Sequence, residues 1–387
     1  MVSPEAPGLP EDLTRAALRR ILFQMPRTVL VLIMLLGAYS CRADSKCNLA
    51  DPSCNPLLVA AMYSRLPVIK NLYAIDTSNN SVRAFRVDHA TGKVGLLQTY
   101  MLGVAPGTLT AGGSCLFVGQ TGSSTMLTAR MDDVGSLTQA QGTQNLAIAN
   151  FNDIQYANGS VFISVAGSAY SFRVGNNCTL QQNGNLANVN GANYVRIHPG
   201  NRLLYTSNSA TNDVSVCAIN GDGTLPTTCP NYLTNGAPEE IAFTGDGTKM
   251  FTALPVIDRV NLQAVDSQGV VATGSPVLTG GTGPRAVAVD PVGRFAYTAH
   301  LTTANVSGFQ ISGTSLSAVP GSPLTIAGLL SAGRLVIDPQ GKYLYVMQGT
   351  SLLVLGINQS NGSLSTIQDF TLTTSPVRLV MATQDLY

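Results

Sequence analysis

Eight residues of this chain pair a reactive side chain with a shared place in a repeated pattern: Asp153, Asn193, Tyr194, Glu239, Glu240, Arg285, Arg334 and Arg378. Aligning the copies puts Asn152-Asp153, Asn193-Tyr194, Glu239-Glu240, Arg285-Ala286, Gly333-Arg334 and Val377-Arg378 at equivalent steps. Arginine can clamp a carboxylate or phosphate through paired hydrogen bonds. A glutamate whose pKa is raised can act as a general base. Arg285, Glu239 and Glu240 are therefore the catalytic candidates, and the full set is a candidate binding site. The competing reading is that these charges pair with one another and simply solvate a channel entrance.

Other chemistry is thinly represented. His198 stands where sister copies have Asp290 and Asp338, directly before a proline, and so reads as a turn residue. His89 adjoins a hairpin, and His300 ends a strand. There is no Gly-x-Ser-x-Gly elbow, phosphate loop or His-Glu-x-x-His zinc motif. Turns such as Asn220-Gly221-Asp222-Gly223 lack the calcium-loop spacing. We expect no cofactor and no metal.

The elements that must hold these residues are strands. The copy Pro284-Arg285-Ala286-Val287-Ala288-Val289-Asp290-Pro291-Val292-Gly293-Arg294-Phe295-Ala296-Tyr297 is echoed by Arg334 to Tyr345 and by Tyr194 to Tyr205. Alternating apolar residues give a strand, Pro-x-Gly gives a turn, and a second strand carries an aromatic. The aromatic anchors are Tyr73, Phe117, Phe162, Tyr205, Phe251, Tyr297 and Tyr345, spaced 43 to 48 residues apart. Such a period with several strands per unit predicts an all-β, seven-bladed β-propeller of four-stranded antiparallel blades. The first copy lacks a complete opening strand, while the chain ends on Pro376-Val377-Arg378-Leu379-Val380-Met381-Ala382. This C-terminal strand is expected to complete the first blade and close the ring, which removes free sheet edges.

The composition suits that fold, with 11% charged residues, 38 glycines and no tryptophan. The missing tryptophan disfavours propellers of the Trp-Asp repeat type.

The N-terminus reads as an export signal. Arg27 precedes an apolar run from Val29 to Leu36, followed by Gly37-Ala38-Tyr39-Ser40-Cys41. The run is too short for an ordinary membrane-spanning helix. The small residues before Cys41 resemble a bacterial lipobox, which would make Cys41 a lipidated mature terminus and tie the protein to a membrane through its acyl chains. The domains are then a signal peptide over 1–40, a tether over 41–64 and the propeller over 65–387. Starting at Met25 gives a more compact signal than starting at Met1. Removing residues 1–40 takes four basic and three acidic residues from totals of 22 and 21, leaving 18 of each. A neutral chain offers no field for nucleic acid.

Six cysteines remain: Cys47, Cys54, Cys115, Cys178, Cys217 and Cys229. In an oxidising compartment they permit disulfides. Cys47 with Cys54 would staple the tether, and Cys217 and Cys229 flank one hairpin. Cys115 and Cys178 could equally be buried thiols.

The Asp-Pro-x-Gly copies, above all Val289 to Tyr297 and Ile337 to Tyr345, resemble the YVTN/lactonase seven-bladed propeller family, which includes propeller-type 6-phosphogluconolactonases. The resemblance covers roughly residues 66–387. It implies His and Arg on the opening strands around the channel mouth, in Pro-Arg-His or Gly-x-His steps. Arg285 matches the arginine, but Ala286 stands where the histidine would follow, and Asn193 where another would be. These departures favour an exported, lipid-anchored binding or interaction module of the cell envelope with an unknown small-molecule or protein partner. The alternative is a lactonase-type hydrolase working at the polar mouth.

Mass spectrometry of the cell-expressed protein should find no peptide from residues 1–24 and a diacylglyceryl group on Cys41. A peptide from those 24 residues would overturn the Met25 start, and an unmodified Cys41 in the mature protein would overturn the lipid anchor.

Overall fold

The segments ending at Asp-Pro or His-Pro fold as strands, each paired with the strand that carries the aromatic anchor. Pro284–Val289 pairs with Phe295–His300, Ala332–Ile337 with Tyr343–Gln348, and Ala192–Ile197 with Leu203–Asn208. The turns between them are held by their first residue. The Gly293 N–H donates to the Asp290 backbone carbonyl at 2.8 Å, and the Arg294 N–H donates to the Asp290 carboxylate at 2.8 Å. In the copy with histidine, Nδ1 of His198 accepts the Gly200 N–H at 3.1 Å, while Nε2 lies 2.9 Å from the Gly247 carbonyl of the next blade.

This computed structural model describes residues 68–148, 150–184, 186–303, 305–326, 332–348, 350–372 and 376–384. The signal segment, the tether, Cys41, Cys47 and Cys54 lie outside them. The described strands form seven antiparallel sheets. The innermost strands, in blade order, are Pro376–Gln384, Pro106–Gly112, Asp153–Ala157, Ala192–Ile197, Ile241–Phe243, Pro284–Val289 and Ala332–Ile337. Each touches the innermost strand on either side, and the circuit closes between Ala332–Ile337, Pro376–Gln384 and Pro106–Gly112. The C-terminal strand pairs antiparallel with Val68–Asp76, so blade one is built from both ends of the propeller sequence.

Five blades have four strands, as the repeat predicts. Blades three and six depart from it. Their outer edge is divided between two short strands, Leu180–Gln182 with Ala187–Asn188, and Ser315–Ala318 with Leu324–Thr325.

Every anchor is buried, and the second strands that carry them are buried on both faces. The reason is that blades pack face to face. Each of the seven apolar clusters draws residues from two consecutive blades, including the junction of blade seven with blade one, where Tyr345, Met347 and Leu352 meet Leu72 and Phe85. Where the anchor is tyrosine, its hydroxyl also donates to a glycine carbonyl in the outer hairpin of the following blade. The pairs are Tyr73 to Gly135 at 2.7 Å, Tyr205 to Gly269 at 2.9 Å, Tyr297 to Gly362 at 2.8 Å and Tyr345 to Gly92 at 3.1 Å. Gly362 has φ +76°, and a Cβ there would lie 2.4 Å from the Phe295 ring, so the accepting turn requires glycine.

Blade two has Phe117 and no hydroxyl to give. There a disulfide joins Cys115, on the second strand, to Cys178 in the outer hairpin of blade three. The two cysteines are thus bonded rather than free thiols, at the place other junctions fill with Tyr-to-Gly hydrogen bonds. A second disulfide, Cys217–Cys229, closes the hairpin region within blade four.

Tyr297→Phe should cost about 1 kcal/mol by leaving the Gly362 carbonyl without its donor. The denaturant midpoint should fall with an unchanged slope. A midpoint equal to that of the parent protein would show that the hydroxyl contributes nothing to the junction.

Candidate functional site

At the mouth end of the channel, each opening strand places two residues against one on its neighbour. The register skips Gly107, Asn193, Arg285, Gly333 and Val377. In blade three Asn152 and Asp153 both face Ser164, and in blade five Glu239 and Glu240 both face Ala253. These are β-bulges, which take a residue out of the ladder and re-aim its side chain. All seven blades carry one at the same height. The six residue pairs picked out by aligning the repeats are therefore bulge residues in blade one and in blades three to seven; the bulge of blade two, at Gly107-Thr108, was not among them.

The bulges gather most of the expected site. Its floor is a network centred on four charged residues from four blades, with further donors from two more. Arg196 donates through Nη1 to Oδ2 of Asp153 at 2.7 Å and through Nη2 to Oε1 of Glu240. Arg334 crosses from blade seven to the same Glu240 oxygen. The Val287 N–H donates to the other Glu240 oxygen at 3.3 Å, and the Val195 N–H to Asp153 at 3.3 Å. Thr108 reaches Asp153 from blade two at 3.3 Å. Asp153, Glu240 and Arg334 are 3%, 4% and 7% exposed, so each charge survives only because opposite charges and donors surround it. Burial by itself would lower the pKa of Arg334, but Glu240 and Asp153 outweigh it and drive it upward, so the guanidinium stays charged.

Above the floor lies a more open group. Nε of Arg285 is 3.4 Å from Oε2 of Glu239, and half of the arginine side chain is exposed. The Tyr194 hydroxyl approaches the same glutamate oxygen at 3.5 Å, and the Tyr194 ring lies beneath the Arg334 guanidinium at 4.6 Å from centroid to Cζ. Burial raises the pKa of Glu239, and this outweighs the opposing pull of Arg285 and Arg334. A carboxylate of raised pKa beside an exposed guanidinium can accept a proton while its neighbour holds developing negative charge.

Asn193 instead turns to the Ser209 hydroxyl in its own blade. Arg378 takes the equivalent step in blade one by its register with Ile75, and its side chain lies outside the described residues. Arg196, which binds both buried carboxylates, is the residue that reading the aligned pairs missed. Its signal was present: it lies two residues beyond Tyr194 on the same strand, hence on the same face. No histidine of the described chain enters this group. Ala286 is buried on its strand. His198 holds its turn, and His89 is exposed. His300 is buried in blade six with Nδ1 3.2 Å from the Asn305 carbonyl, and burial lowers its pKa.

A closed seven-bladed propeller with a bulged, charged mouth defines the class. Residues 127–385 match the family model described as lactonase, 7-bladed beta-propeller, and the chain belongs to that family. Among solved structures it is similar to a candidate 6-phosphogluconolactonase from Bacteroides fragilis, at 20% identity and TM-score 0.69, covering 81% of this chain and 97% of that one. It also resembles the periplasmic gluconolactonase of Pseudomonas aeruginosa, at 18% identity and TM-score 0.66, covering 81% and 99%. A candidate 6-phosphogluconolactonase from Bacteroides uniformis gives 15% identity and TM-score 0.71, covering 81% and 99%. At these identities the likeness is one of fold. No curated protein matches the sequence.

Glu240→Gln should destabilise the propeller by about 3 kcal/mol, because it leaves Arg196 and Arg334 buried against a neutral amide. Arg285→Ala, at the exposed end of the site, should change stability by less than about 0.5 kcal/mol. Urea titration of both variants distinguishes them. A Glu240→Gln protein as stable as the parent would mean that the floor does not depend on mutual charge compensation.

Proposed function

We propose that the chain is a lactone hydrolase whose reaction takes place at the bulged mouth, with Glu239 as general base and Arg285 as the partner of the oxyanion. The observation that carries this reading is the pairing of a carboxylate of raised pKa with a half-exposed arginine 3.4 Å away, over a floor of fully compensated charges. Membership of the lactonase family supports it over the interaction module that the missing histidines favour. In this reading Glu239 takes a proton from water as the water oxygen bonds to the lactone carbonyl carbon. The oxygen of that carbonyl becomes negative beside Arg285, which afterwards binds the carboxylate of the opened product. Glu239 thus fills the acid-base role that the resemblance assigns to imidazoles at Asn193 and Ala286.

We propose separately that the protein is exported and held in a bacterial cell envelope by a lipidated Cys41. The short apolar run before Cys41 supports this, as do the disulfides Cys115–Cys178 and Cys217–Cys229, which persist in oxidising compartments. A neutral mature chain leaves the acyl chains as its hold on the membrane.

The test is a pH-stat assay of purified protein on a panel of γ- and δ-lactones. Glu239→Gln should lower kcat/KM by roughly 10²-fold or more, and Arg285→Ala by about 10²-fold. Because the base must be ionised to act, activity should fall as pH drops through the raised Glu239 pKa. The acidic limb should therefore sit above the ordinary glutamate value of about 4.3, and vanish in Glu239→Gln. No turnover above buffer, or full activity in Glu239→Gln, overturns the hydrolase and leaves the mouth as a binding site.

A further inference from the structure

Opening a lactone leaves one step that Glu239 and Arg285 do not complete as described. The ring oxygen departs as an alkoxide, a strongly basic leaving group, and needs a proton as its bond to the acyl carbon breaks. Arginine holds its protons too tightly to give one. Tyr194 is placed for the task. It is the second residue of its bulge, half-buried at the mouth, with its hydroxyl 3.5 Å from the Glu239 oxygen that also faces Arg285. Catalytic hydrogen bonds of this length commonly tighten when substrate binds. The ring that would carry the phenolate charge lies under the Arg334 guanidinium at 4.6 Å, and Arg334 is itself fixed by Glu240. A positive charge against the ring face stabilises the anion that proton donation creates.

We infer that Tyr194 is the proton donor to the departing ring oxygen and is reprotonated by Glu239; this rests on the hydrolase reading above. The steps balance without a further reactant. Water adds to the acyl carbon and loses a proton to Glu239. The bond between that carbon and the ring oxygen breaks, and the oxygen takes the phenolic proton of Tyr194. The resulting phenolate recovers a proton from the Glu239 carboxylic acid, which returns both groups to their starting state and releases a hydroxy acid.

The competing arrangement has Glu239 pass its proton directly to the leaving oxygen. The leaving group separates the two. A thiolate departs without a proton donor, whereas an alkoxide requires one, so matched lactones and thiolactones should respond differently to loss of the phenol. Tyr194→Phe keeps the ring beneath Arg334 and removes only the hydroxyl. It should lower kcat on oxygen lactones by about 10²-fold and on the matching thiolactones by less than roughly threefold. Equal losses on both classes, or no loss on either, overturn the assignment. If the parent protein hydrolyses neither class, the hydrolase reading itself fails. If the parent turns over both and the variant loses both equally, only the role of Tyr194 does.

Discussion

A propeller blade has two apolar faces, and each can be covered only by a neighbouring blade. The repeat, the anchors and the closure of the ring follow from that constraint. The anchors Tyr73 to Tyr345 recur because a large side chain is needed at the same depth in each junction, and a buried aromatic brings about 2 to 3 kcal/mol of burial with it. The period survives in sequence because a junction tolerates little change in volume. The ring must also close, since an open end would expose one apolar face and one unpaired edge. Strand Pro376–Gln384 meets both needs by entering blade one beside Val68–Asp76.

Once the blades are fixed by their outer and middle strands, the innermost strands converge on a narrow channel. A bulge in each strand turns its mouth into a crown of side chains that do not serve the ladder. Here the chain concentrates charge that it uses sparingly elsewhere. Glu240 joins Arg196 of blade four to Arg334 of blade seven, and Asp153 ties Arg196 to blade three. The floor therefore makes the orientation of separate blades interdependent at the centre. Through Arg334 this floor meets the Tyr194 ring, and Glu239 and Arg285 lie beside the Tyr194 hydroxyl.

Much of the architecture was legible because it repeats. The Asp-Pro-x-Gly turns, the anchors and the unattached closing strand each follow from comparing copies, and the aligned pairs at Asn152-Asp153, Glu239-Glu240 and Arg285-Ala286 mark the bulges. What repetition hides is what one copy does alone. The divided outer edges of blades three and six leave no shared signature. The bond between Cys115 and Cys178 was not legible, because it depends on a strand of one blade meeting the outer hairpin of the next, 63 positions apart in sequence. Arg196 was overlooked for a related reason. It lies one alternation deeper than the aligned pair, and its importance comes from partners on blades three and five rather than from its own copy.

The pairing of Ile75 with Arg378 and of Leu72 with Met381 has a kinetic meaning as well as a geometric one. The first blade to be synthesised is the last to be completed, because its central strand is near the final segment of the propeller to leave the ribosome. Until then the nascent molecule is an arc with Leu72 and Phe85 of blade one uncovered at one end and Tyr345 and Leu352 of blade seven waiting at the other. Contacts between such distant segments are slow to form. Ring closure therefore waits on the last strand, and a chain cut short before Pro376 keeps two apolar blade faces without a cover.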